Sequence, residues 1–288
     1  MAANNWVLGA RPRTLPAAIS PVLVGASLAH RESNQPNYFN ILLALIVSLA
    51  LQVAVNYAND YSDGIKGTDE KRVGPIRLVG SGMATPTSVK RAAFIAFGVA
   101  AIAGLALSLR TSPLLILVGL ISIIAAWRYT GSSNPYGYQG LGEIAVFIFF
   151  GVVATCGTFY AGTLTLNWKA LLLSIPVGAL ACALLAINNL RDLPKDALVG
   201  KRTLAVRLGD QKARTLFNNL LIGAHLFALV ASTISIWCVA TFALLPLTLS
   251  IRKQINAGAL GVELIPLLGK TGRLQLLLST TLALALLL

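Results

Sequence analysis

The chain has 288 residues, of which 56% are hydrophobic and only 11% are charged, and its mean hydropathy is +0.75. A soluble domain carries about 25% charged residues, so this composition excludes an ordinary water-soluble fold and indicates a protein of the lipid bilayer. The formal net charge is +13. Because the basic residues lie between apolar segments, we expect membrane lipid and an anionic substrate as partners, and no nucleic acid.

Nine apolar segments approach the length of a membrane helix, which needs about 20 apolar residues. We therefore predict an all-α integral membrane bundle of about nine transmembrane helices, forming one domain over residues 1–288. In chain order the predicted spans are 14–30, 39–58, 90–109, 112–128, 143–162, 168–189, 214–233, 235–251 and 273–288.

The basic residues predict which ends of the spans face the cytoplasm, because cytoplasmic loops are enriched in Lys and Arg. With the N-terminus in the cytoplasm, all 23 Lys and Arg residues except Arg31, Arg110 and Lys169 fall on that side. Among the ten acidic residues only Glu32 falls outside, and none lies in the middle of a span. We predict a multi-pass protein of the cell membrane, with its N-terminus and active site on the cytoplasmic side under a cap of loops.

Two polar stretches, 56–67 and 188–196, close apolar segments at their predicted cytoplasmic ends. Each contains an Asn, an Asp four residues later, and a further Asp three or four residues beyond. Residues at this spacing share one face of a helix, so two facing stretches would form a site of four carboxylates. We also expect Pro194 to loosen the end of the second helix. The residues are Asn56, Asp60 and Asp63 in the first stretch, and Asn188, Asp192 and Asp196 in the second.

Sparse carboxylates that leave room for water and phosphate oxygens are typical of a Mg²⁺ site. Basic residues beside such a metal can bind a diphosphate and stabilise the charge on it as it leaves. Because this site lies over an apolar bundle, the expected substrate is a polyprenyl diphosphate, whose tail would run between the helices. The predicted diphosphate contacts are Asn59, Lys66, Arg77, Lys195 and Lys201.

The residues also carry a resemblance to a known family. The chain resembles the intramembrane aromatic prenyltransferase (UbiA) superfamily, and most of all its branch that prenylates 1,4-dihydroxy-2-naphthoate, in the actinobacterial form. The likeness extends over nearly the whole chain. It is carried by the stretches 10–16, 56–67, 74–77, 129–138, 140–143 and 188–192.

This resemblance implies a UbiA-type prenyltransferase fold and an enzyme of menaquinone biosynthesis. Such an enzyme transfers a polyprenyl group to 1,4-dihydroxy-2-naphthoate with loss of CO₂ and diphosphate, giving demethylmenaquinone. One residue departs from the superfamily pattern, since Gly67 stands where a further Asp is common. The resemblance implies that Mg²⁺ is bound by Asp60, Asp63, Asp192 and Asp196, with Asn56 and Asn188 orienting the metal or the diphosphate.

The acceptor would need contacts for a carboxylate and two ring hydroxyls. Arg11, Arg13, Arg128 and Glu143 fall on the predicted cytoplasmic side and are candidates. Anchoring at the membrane interface is the alternative interpretation of the arginines, while Glu143 could take a phenolic proton. Departure of diphosphate would leave an allylic cation, which an aromatic face such as that of Tyr129 can stabilise.

Two other functions fit part of the pattern. A divalent-cation transporter would place acids near the bilayer midplane, often on broken helices, and this chain has no acid there. A prenyltransferase of the same superfamily with another aromatic acceptor would have the same metal site, so the choice of acceptor depends on the closer resemblance. The sequence leaves the prenyl chain length and the oligomeric state open.

Overall fold

A computed structural model describes residues 2–67 and 76–288, and within these ranges the chain is helical and contains no β-strand. The helices are α1 (Ala2–Ala10), α2 (Pro16–Glu32), α3 (Tyr38–Ile65), α4 (Pro86–Arg110), α5 (Leu114–Arg128), α6 (Gly142–Val146), α7 (Ala154–Thr163), α8 (Trp168–Leu198), α9 (Leu204–Val230), α10 (Leu245–Asn256) and α11 (Leu264–Leu287). The π-helical segment Phe147–Val153 joins α6 to α7, and a 3₁₀ segment, Ile236–Leu244, leads into α10.

Six of the helical segments in the described ranges are long and apolar enough to cross a membrane. The all-helical, multi-pass membrane architecture is therefore confirmed. Helix α5 is apolar but shorter, with 15 residues, and helices also cover the predicted first and last spans. The number of crossings and the cytoplasmic cap stay predictions. The six segments are Tyr38–Ile65, Pro86–Arg110, Gly142–Thr163, Trp168–Leu198, Leu204–Thr233 and Ile236–Asn256.

Several helices extend well beyond the apolar runs that predicted them. Helix α9 begins at Leu204 and α11 at Leu264, ahead of the predicted starts at 214 and 273. The added turns carry charged residues, which a criterion based on apolar length leaves out. The expected loosening at Pro194 was wrong, because α8 continues through it to Leu198. A proline removes one backbone donor, and the surrounding turns maintain the helix.

Helix α8 lies at the centre of the bundle, where it packs against α9, α11 and the π-helical segment. The contact with that segment is a backbone approach, since a Cβ atom added at Gly151 would lie 2.8 Å from the Cα of Gly178. Small residues allow such close packing between membrane helices. Helix α6, which carries Glu143, also packs against α8.

Each Asp-bearing stretch lies at the C-terminal end of a helix, and that helix packs along the next helix in the chain. Helix α3 packs against α4, and α8 packs against α9. Helix α2 contacts both α3 and α8, so it holds the two pairs together. This arrangement brings the ends of α3 and α8 to the same end of the bundle.

Candidate active site

A cavity of about 530 Å³ lies where the ends of α3 and α8 approach each other. Five basic and three acidic side chains line it, so an anion is the expected occupant. The charged lining residues are Arg11, Arg13, Asp63, Arg77, Asp192, Lys195, Asp196 and Lys201. The polar lining residues are Thr14, Asn59, Tyr129, Thr130, Tyr138, Asn188, Asn189 and Thr203.

Asp63 is the centre of charge on the α3 side. Its carboxylate accepts hydrogen bonds from Lys201 Nζ at 2.8 Å, from Arg77 Nη2 at 3.5 Å and from the Tyr138 hydroxyl. The Lys201 and Lys66 ammonium groups lie 4.6 and 4.9 Å from the centroid of the Tyr138 ring. Asp63 is therefore held by two cations and one hydroxyl at the cavity wall.

The second stretch presents all three of its predicted residues to the cavity. Asn188, Asp192 and Asp196 each line it from one face of α8. Arg191 holds Asp192 with two hydrogen bonds of 2.8 Å. Lys195 Nζ is shielded from solvent and has no hydrogen-bond partner among the described residues. A shielded ammonium at a cavity wall is a strong reason to expect an anionic ligand.

The first stretch divides between structural contacts and the cavity. Asn56 donates to the Ala10 carbonyl at 2.8 Å and to Thr14 Oγ1 at 3.0 Å, and it fastens the start of α2 to α3. Asp60 accepts hydrogen bonds from two backbone N–H groups and does not line the cavity. Only Asn59 and Asp63 of this stretch reach the cavity wall.

Lys66 and Arg128 lie away from the cavity. Lys66 Nζ donates to the Thr130 carbonyl at 2.9 Å, and burial lowers its pKa, while Asp63 raises it and Lys201 lowers it further. Arg128 lines a different cavity. Arg11 and Arg13, by contrast, both line the polar cavity. Residues 74–75, part of a stretch that carries the family resemblance, lie outside the described residues.

Glu143 is buried at the edge of the cavity and reaches it through another residue. Asn189 lines the cavity and donates to Glu143 Oε1 at 2.9 Å. The second carboxylate oxygen of Glu143 has no hydrogen-bond partner in the described part of the chain. Sequence reasoning gave no role to Asn189, Thr130 or Tyr138. The sequence could have indicated these three residues, because each lies within a stretch that carries the family resemblance.

A second cavity, about 190 Å³ in volume, extends the site into the bundle. Its walls are mainly apolar side chains of α2 to α5 and of the continuous helical segment from α6 to α7, such as Leu51, Leu107 and Phe150. Tyr129 belongs to the lining of both cavities. Burial raises the pKa of Tyr129, and it raises that of the neighbouring Tyr136 to about 12. Both rings therefore stay neutral at physiological pH.

The polar cavity has the oxygen donors that Mg²⁺ prefers, in the carboxylates of Asp63, Asp192 and Asp196 and the amide of Asn188. Within the described ranges no three His, Cys, Asp or Glu side chains are close enough to hold a metal ion by themselves. Mg²⁺ commonly takes one or two carboxylates and completes its shell with water and substrate phosphates. The residues present fit that mode of binding.

Comparison with known proteins assigns the family. Residues 18–257 match the UbiA prenyltransferase family. The chain is 51% identical over 268 residues to a 1,4-dihydroxy-2-naphthoate octaprenyltransferase of Mycobacterium tuberculosis (strain ATCC 25618 / H37Rv), with 93% of this chain and 91% of that protein covered. It is 41% identical over 226 residues to the protein of the same name from Escherichia coli (strain K12), with 76% and 73% covered.

The fold is also found in a solved structure. A UbiA homologue from Archaeoglobus fulgidus, solved bound to DMAPP and Mg²⁺, superposes with a TM-score of 0.70 at 14% sequence identity, and 98% of each chain is covered. At this identity the likeness shows the fold. Together with the family match and the 51% identical relative, it establishes that this chain is a member of the UbiA prenyltransferase family.

Proposed function

We propose that this chain transfers a polyprenyl group from a polyprenyl diphosphate to 1,4-dihydroxy-2-naphthoate, with loss of CO₂ and diphosphate. The observation that carries the proposal is that a polar cavity and an apolar cavity share Tyr129. A diphosphate with a hydrocarbon tail needs both environments side by side. The names of the relatives support the choice of acceptor.

The diphosphate lies among the basic residues of the polar cavity. Lys195 offers a shielded ammonium that has no hydrogen-bond partner among the described residues. Lys201 and Arg77 approach from the α3 side, where both contact Asp63. Charge-assisted hydrogen bonds from such groups are stronger than neutral ones, and here they stabilise the negative charge that grows on the leaving group.

Mg²⁺ would be held by Asp63, Asp192 and Asp196, with the Asn188 amide beside them. When bound, it supplies positive charge that stabilises the diphosphate as it leaves. The homologue solved with DMAPP and Mg²⁺ supports the use of this metal. Asp60 and Asn56, which were also predicted to bind or orient the metal, do not line this cavity.

The reaction begins when the bond between the first prenyl carbon and the diphosphate oxygen breaks, and diphosphate leaves with the electron pair. The ring face of Tyr129 stabilises the allylic cation, and the apolar cavity keeps water away from it. The ring carbon that bears the carboxylate then bonds to the cation. Loss of CO₂ returns an electron pair to the ring, so the immediate product is the quinol form of demethylmenaquinone.

The acceptor is held from the side of α2 and the start of α6. Arg11 and Arg13 line the cavity there and suit its carboxylate. Asn189, held by Glu143 at 2.9 Å, presents its carbonyl oxygen as an acceptor for a ring hydroxyl. The distribution of basic residues supports placing this cavity on the cytoplasmic side of the cell membrane.

The test uses protein purified in detergent. Radiolabelled geranylgeranyl diphosphate is supplied with 1,4-dihydroxy-2-naphthoate, with and without Mg²⁺, and the extracted lipid is analysed. We expect a prenylated naphthoquinol, recovered as the quinone after oxidation by air, that forms only with both the metal and the acceptor. The Asp192→Asn variant, purified in the same way, controls for contaminating activity.

Parallel reactions contain 4-hydroxybenzoate or homogentisate as the acceptor. A product from one of these, and none from the naphthoate, would overturn the acceptor and leave the prenyl transfer in place. An intact diphosphate with every acceptor would overturn the proposed reaction as a whole.

A further inference from the structure

The short segment 77–84 forms a hydrogen-bonded turn that leads into α4. The Arg77 carbonyl accepts from the Ser81 backbone N–H at 3.0 Å and from its hydroxyl at 2.6 Å. The Leu78 carbonyl accepts from the Ala84 N–H at 3.0 Å. This turn carries Arg77 into the wall of the polar cavity. Its position therefore determines where one of the five cavity cations lies.

Asp60 fastens the turn to α3. Its two carboxylate oxygens accept from the backbone N–H groups of Leu78 and Val79, at 2.8 and 3.0 Å. Asp60 is 0% exposed. A carboxylate that accepts backbone N–H bonds away from water is firmly held, and both oxygens of Asp60 are used in this way.

The surfaces around this contact fit the turn closely. A Cβ atom added at Gly64 would lie 2.3 Å from Val79 Cγ1, and one added at Gly9 would lie 2.7 Å from Leu78 Cδ1. Leu78 is fully buried against Gly9, while Val79 packs against Gly64. Glycine at both positions therefore lets the turn approach α1 and α3, and Asp60 completes the contact with hydrogen bonds.

Asp63 lies one helical turn after Asp60 and binds the side chain of the same segment, at 3.5 Å from Arg77 Nη2. The two acids thus have different roles, since Asp60 binds the backbone of the turn and Asp63 lines the cavity. The cavity-lining pair of α3 is Asn59 and Asp63, which repeats the Asn-x-x-x-Asp spacing of the cavity-lining residues on α8. The two Asn-x-x-x-Asp pairs at the cavity are therefore complete without Asp60.

We propose that Asp60 is a positioning residue that holds the 77–84 turn, and through it Arg77, at the cavity, and that it is not a ligand of Mg²⁺. To reach a metal, Asp60 would have to leave two buried N–H donors without an acceptor, which is costly. The exclusion of Asp60 from the metal rests on the proposed function. The role of Asp60 in holding the turn rests on the hydrogen bonds alone.

The first measurement is hydrogen–deuterium exchange of the apo protein in detergent, followed on a peptide that covers residues 76–84. We expect the Leu78 and Val79 amides to exchange at least about tenfold faster in Asp60→Asn, because hydrogen bonds to charged groups are among the stronger ones. Ser62→Ala is the matched control, since Ser62 is buried on the same helix and its hydroxyl has no hydrogen-bond partner among the described residues. Its exchange should equal that of the unmodified protein.

The second measurement is Mn²⁺ binding in the presence of inorganic diphosphate, followed by electron paramagnetic resonance. Asp63→Asn should weaken binding by at least about tenfold, because this variant removes a ligand of the metal. Asp60→Asn removes none and should weaken binding by less than about threefold. This arm requires no turnover and no prenyl substrate.

Unchanged protection of the two amides in Asp60→Asn would overturn the positioning role. Loss of Mn²⁺ in Asp60→Asn as large as in Asp63→Asn would overturn the exclusion of Asp60 from the metal. If no variant and no unmodified protein binds Mn²⁺, the proposed metal fails while the exchange result still decides the role of the turn. If Asp60→Asn does not fold, Asp60→Glu is used, which keeps the charge and shifts it away from the two amides.

Discussion

The two Asp-bearing stretches are alike in sequence and different in structure. On α8 the three predicted residues, Asn188, Asp192 and Asp196, all line the polar cavity. On α3 the corresponding Asn56 and Asp60 make structural contacts, and the residues three positions later in the chain, Asn59 and Asp63, line the cavity instead. The same spacing can therefore serve two purposes within two turns of one helix.

The difference comes from what each helix end has to hold. Helix α8 continues to Leu198 through the centre of the bundle, and its polar face lines the cavity. Helix α3 must also anchor the start of α2, through Asn56, and the turn before α4, through Asp60. A helix has more than one polar face at a crowded end, and spacing alone does not reveal which face meets the substrate.

The largest expected effect concerns the acids that line the cavity. Asp63→Asn and Asp192→Asn should each lower kcat by about 100- to 1,000-fold, the range seen when a group that stabilises transition-state charge is removed. The measurement is Mg²⁺-dependent formation of the prenylated product at saturating substrates. A strong loss in one variant and near-normal activity in the other would show that the two helix ends do not act on the same substrate.

The next effect concerns the shielded cation of α8. Lys195→Met should lower kcat/KM for the prenyl diphosphate by about 10- to 100-fold, since a hydrogen bond to a charged group contributes about 1.5–3 kcal/mol. The exposed Lys212 on α9 provides the control variant Lys212→Met, which removes the same charge outside the cavity. Equal kinetics in the two variants would remove Lys195 from the diphosphate site.

The sequence predicted the membrane bundle well because bilayer-crossing helices need long apolar runs, and such runs are visible without a structure. It missed the early start of α11 at Leu264, since Pro266, Gly269 and Lys270 interrupt the apolar run there. It also gave no indication of the π-helical segment Phe147–Val153, which depends on packing against α8.

For the site, spacing identified the right two helix ends but not which polar face of α3 lines the cavity. The sequence contains Asn-x-x-x-Asp twice in the first stretch, at Asn56 and at Asn59. Only tertiary contacts distinguish them, since Asn56 bonds to the end of α1 and to the turn before α2, whereas Asn59 lines the cavity. Arg128 shows the same limit, because a place on the predicted cytoplasmic side does not bring its side chain to the polar cavity.

Tyr129 joins the polar cavity to the apolar one, and its ring and hydroxyl can be tested separately. Tyr129→Leu should lower kcat by roughly 2- to 30-fold, since a cation–π contact contributes about 0.5–2 kcal/mol. Tyr129→Phe keeps the ring and should retain most of the activity. The measurement is kcat for both variants under saturating conditions. A larger loss in Tyr129→Phe would assign the role to the hydroxyl.

Asn56 should affect stability more than chemistry, in contrast to Asn188. Asn56→Ala removes hydrogen bonds to Ala10 and Thr14 from a side chain that is only 3% exposed. The expected loss is about 1–3 kcal/mol, seen as a fall of several degrees in the denaturation temperature in detergent. The exposed Asn34 gives the control variant Asn34→Ala. A normal denaturation temperature with lost Mn²⁺ binding would move Asn56 to the metal site.

The smallest effect is a pH dependence at the end of the first stretch. Burial lowers the pKa of Lys66, more than Asp63 offsets it. Between that lowered pKa and the ordinary value of about 10.4, the unfolded chain binds more protons at Lys66 than the folded one. Stability therefore rises with pH across this window.

Lys66→Met removes this contribution, so its denaturation temperature relative to the unmodified protein should fall as the pH is raised from 7 to 10. Lys212→Met controls for the general loss of a positive charge. A constant difference between Lys66→Met and the unmodified protein over this range would show that Lys66 does not titrate there. The Thr130 carbonyl contact at 2.9 Å would then be strong enough to keep the ammonium charged.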